Sequence, residues 1–284
     1  MSSLKEVKQR ITTVATIKKI TEARQRISSA KLFRAETRLT YAKEYVKAVE
    51  SLLADITIDE YISPLACKRD TGKILIVILS SNSGMAGAFN SNIIREISLL
   101  QQKHGKEEIL WLPIGKKVAE ALKHRKNQII EERNELADEV SIDQIEDLSA
   151  RLTELFISQK LKQIEVVYHH FKNTSNQKVT SQTLFPVDVR KLSEDNGSEN
   201  KKDYLFEPRQ EELAEKLLPE IIKAELYSII TENQVSEHAS RTIAMQLAND
   251  NAKDLLNQLQ LTYNKIRQQN ITSEILDIVG GSFA

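Results

Sequence analysis

The chain has 284 residues, of which 40% are hydrophobic and 28% charged, and this composition is typical of a soluble protein with one large or two ordinary domains. Lysine plus arginine and aspartate plus glutamate number 40 each, so the net charge favours neither nucleic acid nor an anionic membrane as a general partner. The single cysteine, Cys67, excludes an internal disulfide, and no apolar run reaches the roughly 20 residues that cross a bilayer.

Glycine and proline are absent from both ends of the chain. The first of either is Pro64, and none occurs between Pro219 and Gly280. Since these residues interrupt helices, we predict two terminal helices of about 55 and 70 residues, or roughly 80 and 100 Å. The predicted boundaries are a coiled-coil helix at 1–63, an α/β domain at 70–192, an exposed loop and foot segment at 193–208, and a second coiled-coil helix at 209–284.

Apolar residues recur at coiled-coil spacing in both terminal segments. Near the C-terminus, steps of three and four join Met245, Ala248, Ala252, Leu255, Leu259, Thr262 and Ile266. Near the N-terminus we predict a seam that passes through Ile17 in two steps of three, and its positions are Leu4, Val7, Ile11, Val14, Ile20, Ala23, Ile27 and Ala30. Small and polar residues hold many of these places. This predicts either a weak hairpin or a rod that touches a surrounding partner without adhering to it.

Strands alternate with helices in the middle of the chain. The sequence predicts strands at 73–80, 109–114, 164–171 and 179–189, and helices from about residue 89, at 116–125 and at 142–161. This order predicts a small α/β domain with a mainly parallel sheet.

No segment carries a convincing catalytic or metal-binding motif. The turn at 80–87 joins a strand to a helix, as phosphate sites do, but it has two glycines and no P-loop lysine, so a tight crossover turn is favoured. His169 and His170 are neighbours on a predicted strand and project to opposite faces, so they do not share a metal. We therefore predict no catalytic residue, no cofactor and no metal.

The first 50 residues form a basic segment, with 12 basic and 5 acidic side chains. A solvated face, an acidic protein partner and a nucleic acid all account for such a segment. They are preferred in that order, because the chain is neutral overall and few aromatic residues accompany the charges.

Five segments resemble the gamma subunits of F-type ATP synthases, in the family's order and over nearly the whole chain. They are 4–36, 87–92 (GAFNSN), 204–208 (YLFEP), 236–252 (SEHASRTIAMQLANDNA) and 263–281 (YNKIRQQNITSEILDIVGG). The resemblance implies that the terminal helices form an antiparallel coiled coil inside a ring of three alpha and three beta subunits. The α/β domain would lie against the epsilon subunit and the c-subunit ring. Such a chain is a non-catalytic rotor shaft, which couples ion-driven rotation of the c ring to ATP synthesis or hydrolysis on beta.

The resemblance also implies contact residues. Those facing the alpha and beta ring would be Arg24, Arg26, Arg267, Gln268, Thr272 and Glu274. Those facing the c ring and epsilon would be Tyr204, Phe206 and Glu207. The family usually has methionine or small apolar residues in place of Arg24 and Arg26, so contacts there are expected to be more polar. The implied location is peripheral, on the cytoplasmic side of the bacterial inner membrane, with membrane contact only through the complex, and no transit peptide is evident.

Two other functions compete with the rotor. A coiled-coil scaffold predicts a stable homodimer through the long helices. An enzyme that uses the 84–87 turn predicts nucleotide binding by the isolated chain.

Overall fold

The absence of helix breakers at both ends is matched by two very long helices. The computed structural model describes residues 3–56, 63–105, 108–158, 161–188 and 210–281. Helix α1 spans Leu4–Asp55 and the last helix, α5, spans Gln210–Gly281, which is 52 and 72 residues. Pro219 lies inside α5 between buried Leu218 and Ile221, so packing of the apolar neighbours holds the helix through the proline.

The elements between the long helices alternate as predicted. They are β1 (Ile74–Leu79), α2 (Phe89–His104), β2 (Ile109–Ile114), α3 (Lys116–His124), a 3-10 turn (Asn134–Ala137), α4 (Ile142–Ser158), β3 (Gln163–Asn173) and β4 (Asn176–Phe185). The largest difference is at β4, which begins and ends earlier than the predicted 179–189. It begins earlier because a tight turn at 174–175 returns the chain directly from β3.

The four strands form one sheet in the order β2, β1, β3, β4. Strand β1 pairs in parallel with β2 and with β3, while β3 and β4 form an antiparallel hairpin. All six residues of β1 are buried, as expected for an internal strand of a sheet that is covered on both faces. The predicted fold class is confirmed, because long terminal helices flank an α/β domain with a mainly parallel sheet.

Side chains of β1 alternate between two apolar cores. Leu75, Val77 and Leu79 belong to a core that α4 and parts of α1 and α5 complete. The three isoleucines that alternate with them, Ile74, Ile76 and Ile78, belong to a second core with α2 and α3. Helices thus cover both faces of the sheet, which explains the continuous apolar run in the sequence.

The molecule consists of two compact units. The helical unit comprises the chain up to residue 29 and from residue 241 onward, and the sheet unit comprises residues 30–240. Within the sheet unit α1 and α5 are antiparallel, because Val235 packs against Ala35 and Leu39, whereas the Tyr45 hydroxyl donates to Glu220 at 2.8 Å. Residue numbers on α5 therefore fall as those on α1 rise.

The burial pattern of α1 corrects the predicted N-terminal seam. Ile17, Ile20 and Ile27 are 49%, 50% and 59% exposed. One series of buried and half-buried positions instead keeps an unbroken spacing of three and four residues along the whole helix. Its members are Leu4, Val7, Ile11, Val14, Lys18, Thr21, Gln25, Ser28, Leu32, Ala35, Leu39, Ala42, Val46, Val49 and Leu53.

The predicted shift at Ile17 was wrong because it followed hydrophobicity alone. The apolar seam positions at 4–14 and 32–53 share one heptad frame only if no step between them is shortened. The helix keeps that frame and accepts polar residues in the middle of the seam. Thr21 and Ser28 are accordingly only 7% and 3% exposed, and the Thr21 hydroxyl donates to the Lys18 carbonyl at 2.9 Å.

The seam of α5 in the helical unit agrees with the prediction at Met245 and Ala252, which are buried. It differs further on, where Leu255 and Thr262 are exposed while the residues that follow each of them are half-buried. The seam thus takes a step of four after Ala252 and passes through Leu256 and Tyr263. A helix with 3.6 residues per turn permits either step, so sequence spacing did not decide between them.

Candidate partner-binding surfaces

Four residues of α1 in the helical unit form a row on the surface, off the seam. Ile17, Ile20, Arg24 and Ile27 follow one another at steps of three, four and three residues, and all four are exposed. We call this row the isoleucine stripe. An exposed apolar row with a charge in its middle is typical of an interaction surface, since water is a poor environment for branched aliphatic side chains.

The two arginines of the predicted site differ in their surroundings. Arg26 Nη2 lies 2.7 Å from Glu22 Oε1, one helical turn earlier, and the two side chains are 79% and 42% exposed. Arg24 has no carboxylate partner among the residues that the structure describes. Arg24 therefore presents an uncompensated positive charge within the isoleucine stripe, whereas the charge of Arg26 is already paired.

The C-terminal part of α5 carries the other predicted ring contacts. Arg267, Gln268, Thr272 and Glu274 are all exposed, and the Thr272 hydroxyl donates to the Gln268 carbonyl at 2.9 Å. Apolar residues interleave with them, and they are also exposed: Ile271, Ile275, Leu276, Ile278 and Val279. The exposed surface of this helix end thus combines polar side chains with five large apolar ones. None of the described helices is both long and apolar enough to cross a membrane.

The predicted foot contacts Tyr204, Phe206 and Glu207 lie outside the described residues, as does the loop at 193–203. These assignments stay predictions.

The sequence model of the ATP synthase family matches residues 3–284. The ATP synthase gamma chain of Parabacteroides distasonis is 40% identical over 289 residues, which covers 99% of both chains. That of Flavobacterium johnsoniae is 37% identical over 287 residues, which covers 100% of this chain and 99% of the relative. The chain belongs to the ATP synthase gamma family.

Solved structures agree with membership of the gamma family at the level of the fold. The rotor of the Euglena gracilis mitochondrial ATP synthase has a TM-score of 0.68 at 19% identity, and the match covers 94% of this chain and 98% of that chain. The central stalk of the Tetrahymena thermophila enzyme has a TM-score of 0.60 at 22% identity, with coverage of 81% and 99%. A gamma chain is a non-catalytic subunit, in agreement with the sequence prediction.

The turn after β1 in this gamma chain is held by hydrogen bonds to both helices that follow it. Ser80 Oγ and Asn82 Oδ1 each accept, at 3.0 Å, a hydrogen bond from an amide in the first turn of α3. Asn90 Oδ1 on α2 accepts from the Ser81 amide at 3.2 Å. Helix N-terminal amides are the groups that bind a phosphate. The chain itself occupies two such amides at the start of α3 and the Ser81 amide within the turn, and the crossover-turn interpretation stays favoured.

The paired histidines of the gamma chain lie on opposite faces of β3, as predicted. His169 is 1% exposed and stacks on Phe89 with ring centroids 4.0 Å apart. Burial lowers the pKa of His169 to about 4, and the hydrogen-bond acceptors of Asn233 and the Phe89 backbone oppose this shift only in part. His170 is exposed, and its Nδ1 lies 3.2 Å from Glu232 Oε1. The described residues include no cluster of three potential metal ligands.

Sequence reasoning missed a run of buried residues in α5. Every residue at 229–239 is buried, although the run includes Glu232, Asn233 and Ser236. A helix segment without an exposed face is enclosed on all sides, so its polar groups need partners within the protein. The sequence shows only that this part of a breaker-free helix contains polar residues. Polar residues alone do not indicate that a helix segment is buried.

Proposed function

We propose that this chain is the central rotor shaft of an F-type ATP synthase. It couples ion-driven rotation of the c-subunit ring to ATP synthesis or hydrolysis on the beta subunits, and the epsilon subunit binds beside it. The observation that carries this proposal is a combination of two features on the same helices. The seam of α1 holds polar residues in its middle, at Thr21 and Ser28, while isoleucines beside it and the apolar side chains at the end of α5 are exposed.

The contact to the ring of alpha and beta subunits is assigned to two surfaces. One is the isoleucine stripe with its unpaired Arg24, supported by Arg26. The other is the exposed end of α5, with Arg267, Gln268, Thr272 and Glu274. An unpaired guanidinium among isoleucines suits an acidic segment that also offers apolar side chains. We assign that segment to the beta subunit.

The foot contacts are assigned to Tyr204, Phe206 and Glu207, which meet the c ring and epsilon. The chain is peripheral and reaches the membrane only through the complex. Its place is the cytoplasmic side of the bacterial inner membrane. The support for this location is that the gamma-chain relatives are bacterial proteins.

Reconstitution tests the rotor function. The chain is mixed with alpha and beta subunits, and we expect one copy to join a six-membered ring that hydrolyses Mg-ATP cooperatively. Failure to assemble would contradict the proposal. Two measurements on the isolated chain separate the alternatives, because a stable homodimer supports a scaffold and nucleotide binding supports an enzyme.

A further inference from the structure

Strand β3 continues beyond the point where its neighbour β1 ends. The last paired residues are Val167 and Ile78, whereas β3 runs on to Asn173 with β4 on its other side. His169 lies in this overhang and is 1% exposed. A buried strand edge needs partners for its main-chain N–H and C=O groups, since a buried polar group without a hydrogen bond destabilises the fold.

Helix α5 supplies these partners with two side chains. The His169 N–H donates to Asn233 Oδ1 at 3.1 Å, and Ser236 Oγ donates to the His169 carbonyl at 2.9 Å. Asn233 and Ser236 are three residues apart and so lie on one face of the helix. They are 3% and 0% exposed. We call this pair of hydrogen bonds the His169 clamp.

Other hydrogen bonds support the same helix segment. Ser240 Oγ donates to Gln177 Oε1 on β4 at 2.9 Å, and Gln234 Nε2 donates to the Leu136 carbonyl at 3.2 Å. These bonds reach a side chain and a short 3-10 turn. The His169 clamp differs from them because it joins α5 to the main chain of a strand, which the sheet itself fixes in place.

Hydrogen bonds and apolar contacts restrain a helix in different ways. Apolar burial is non-directional and scales with area, so it resists separation more than a small turn of the helix about its own axis. A hydrogen bond weakens steeply as its angle departs from linearity. Two such bonds from one helix face to both polar groups of a single strand residue therefore define the rotational setting of α5 against the sheet.

We propose that Asn233 and Ser236 are positioning residues that fix the rotational setting of α5 against the sheet, so that torque applied to the sheet unit reaches α5 without angular slip. This inference rests on the rotor function proposed above. It assigns to the two residues a mechanical role in addition to their contribution to folding.

The test uses single-molecule rotation of the chain assembled with alpha and beta subunits. The single cysteine, Cys67, is exposed in the sheet unit and provides the attachment point for the probe. The width of the probe's angular distribution during catalytic pauses measures torsional stiffness. The clamp variants are Asn233→Ala and Ser236→Ala, while Ser236→Thr retains the hydroxyl.

The matched control is Ser181→Ala. Ser181 Oγ donates to Glu165 Oε2 at 2.7 Å, so this variant also loses one serine hydrogen bond in the sheet unit, but between β4 and β3. We expect the alanine variants of the clamp to lose stiffness and broaden the distribution beyond that of Ser181→Ala, and Ser236→Thr to restore it. Thermal stability is measured for all variants, since a merely structural role lowers stability without broadening.

Equal widths in the clamp variants and the control would overturn the inference. If Asn233→Ala does not assemble, Ser236→Ala decides the test, because it removes one hydroxyl and nothing else. Absence of rotation in the unmodified assembly would contradict the rotor function itself, which keeps the two failures distinguishable.

Discussion

The charge of Glu50 on α1 acts on the carboxyl group of Glu225 on α5. Burial has the larger effect and the Glu50 charge the smaller one, and together they raise the pKa of Glu225 to about 7. The ordinary value is 4.5, so between these two pH values the native chain retains a proton that the unfolded chain releases. Stability therefore falls as the pH rises through this window, and the full loss above it is about 3 kcal/mol.

The variant Glu225→Gln should remove this loss. We expect its free energy of unfolding at pH 8 to exceed that of the unmodified chain by up to about 3 kcal/mol, with little difference at pH 4.5. Urea titrations followed by the fluorescence of Trp111, the single tryptophan and a buried residue of the sheet unit, measure both values. Glu212→Gln, at an exposed position of the same helix, is the control. An equal gain at both pH values would contradict the assignment.

His169 should produce the opposite pH dependence. Its pKa falls from 6.5 to about 4 through burial, so on acidification the unfolded chain binds a proton that the native chain does not. Stability then falls as the pH drops from 6.5 to 4, by about 3 kcal/mol. In the unmodified chain the Glu225 effect opposes this fall, so the fall should emerge in the Glu225→Gln background. Adding His169→Phe, which leaves a ring to stack on Phe89, should flatten the profile, and a persistent slope would assign it to another group.

The register of α1 makes a testable distinction between neighbouring residues. Gln25 occupies the seam and Ile27 does not, so Gln25→Leu should stabilise the helical unit by about 1 kcal/mol. Ile27→Gln should change its stability by no more than about 0.5 kcal/mol. Amide hydrogen exchange of residues 3–29 measures both effects. A large loss of protection in Ile27→Gln would instead support the seam through Ile20 and Ile27.

Gly115 is required where α3 begins. Its φ is +102°, and a Cβ there would lie 2.3 Å from the Ser80 carbonyl oxygen. Gly115→Ala should therefore destabilise the sheet unit by at least about 3 kcal/mol. Gly84→Ala is the matched control, because nothing lies within 4 Å of its added Cβ, and it should change stability by no more than about 0.5 kcal/mol. Trp111 fluorescence in urea reports both. Similar stability of the two variants would refute the steric argument.

Arg24 provides a test of the assigned beta contact. In the assembled complex, Arg24→Met should lower torque and the number of ions pumped per ATP hydrolysed, since an ion pair worth about 1 kcal/mol is lost. Lys8→Met removes a basic side chain of the same helix at an exposed position off the isoleucine stripe, and it should leave both quantities unchanged. Unchanged torque and coupling in Arg24→Met would remove the basis for this contact.

The long helices and the alternating strands and helices of the sheet unit could be predicted from the sequence. Glycine, proline and hydrophobic periodicity determine secondary structure through residues that are close together in the chain. Ile109–Ile114 was predicted to the residue for this reason. The ends of β4 were predicted less accurately, because pairing with β3 sets where the strand begins and ends. The resemblance implies six contacts to the ring, at Arg24, Arg26, Arg267, Gln268, Thr272 and Glu274, and the structure shows that all six side chains are exposed. The subunits that they contact stay predictions.

The seam and the buried run of α5 could not be predicted for a physical reason. Hydrophobicity pointed to Ile17 and Ile20, but the seam register of a helix is fixed by all of its contacts together, including apolar positions far along the chain. Asn233 and Ser236 have the composition of a solvated helix face. Their burial depends on the overhang of β3, which arises only when the sheet is assembled.

A strict seven-residue repeat of buried and half-buried positions from Leu4 to Ser28 predicts a left-handed supercoil in the helical unit. Twisting a left-handed pair in one direction tightens it, and twisting it in the other direction loosens it. We therefore expect the two directions of rotation to load the polar seam residues Lys18 and Gln25 differently, pressing them inward in one case and releasing them in the other. We expect such a pair to resist twisting unequally in the two directions in which it is driven.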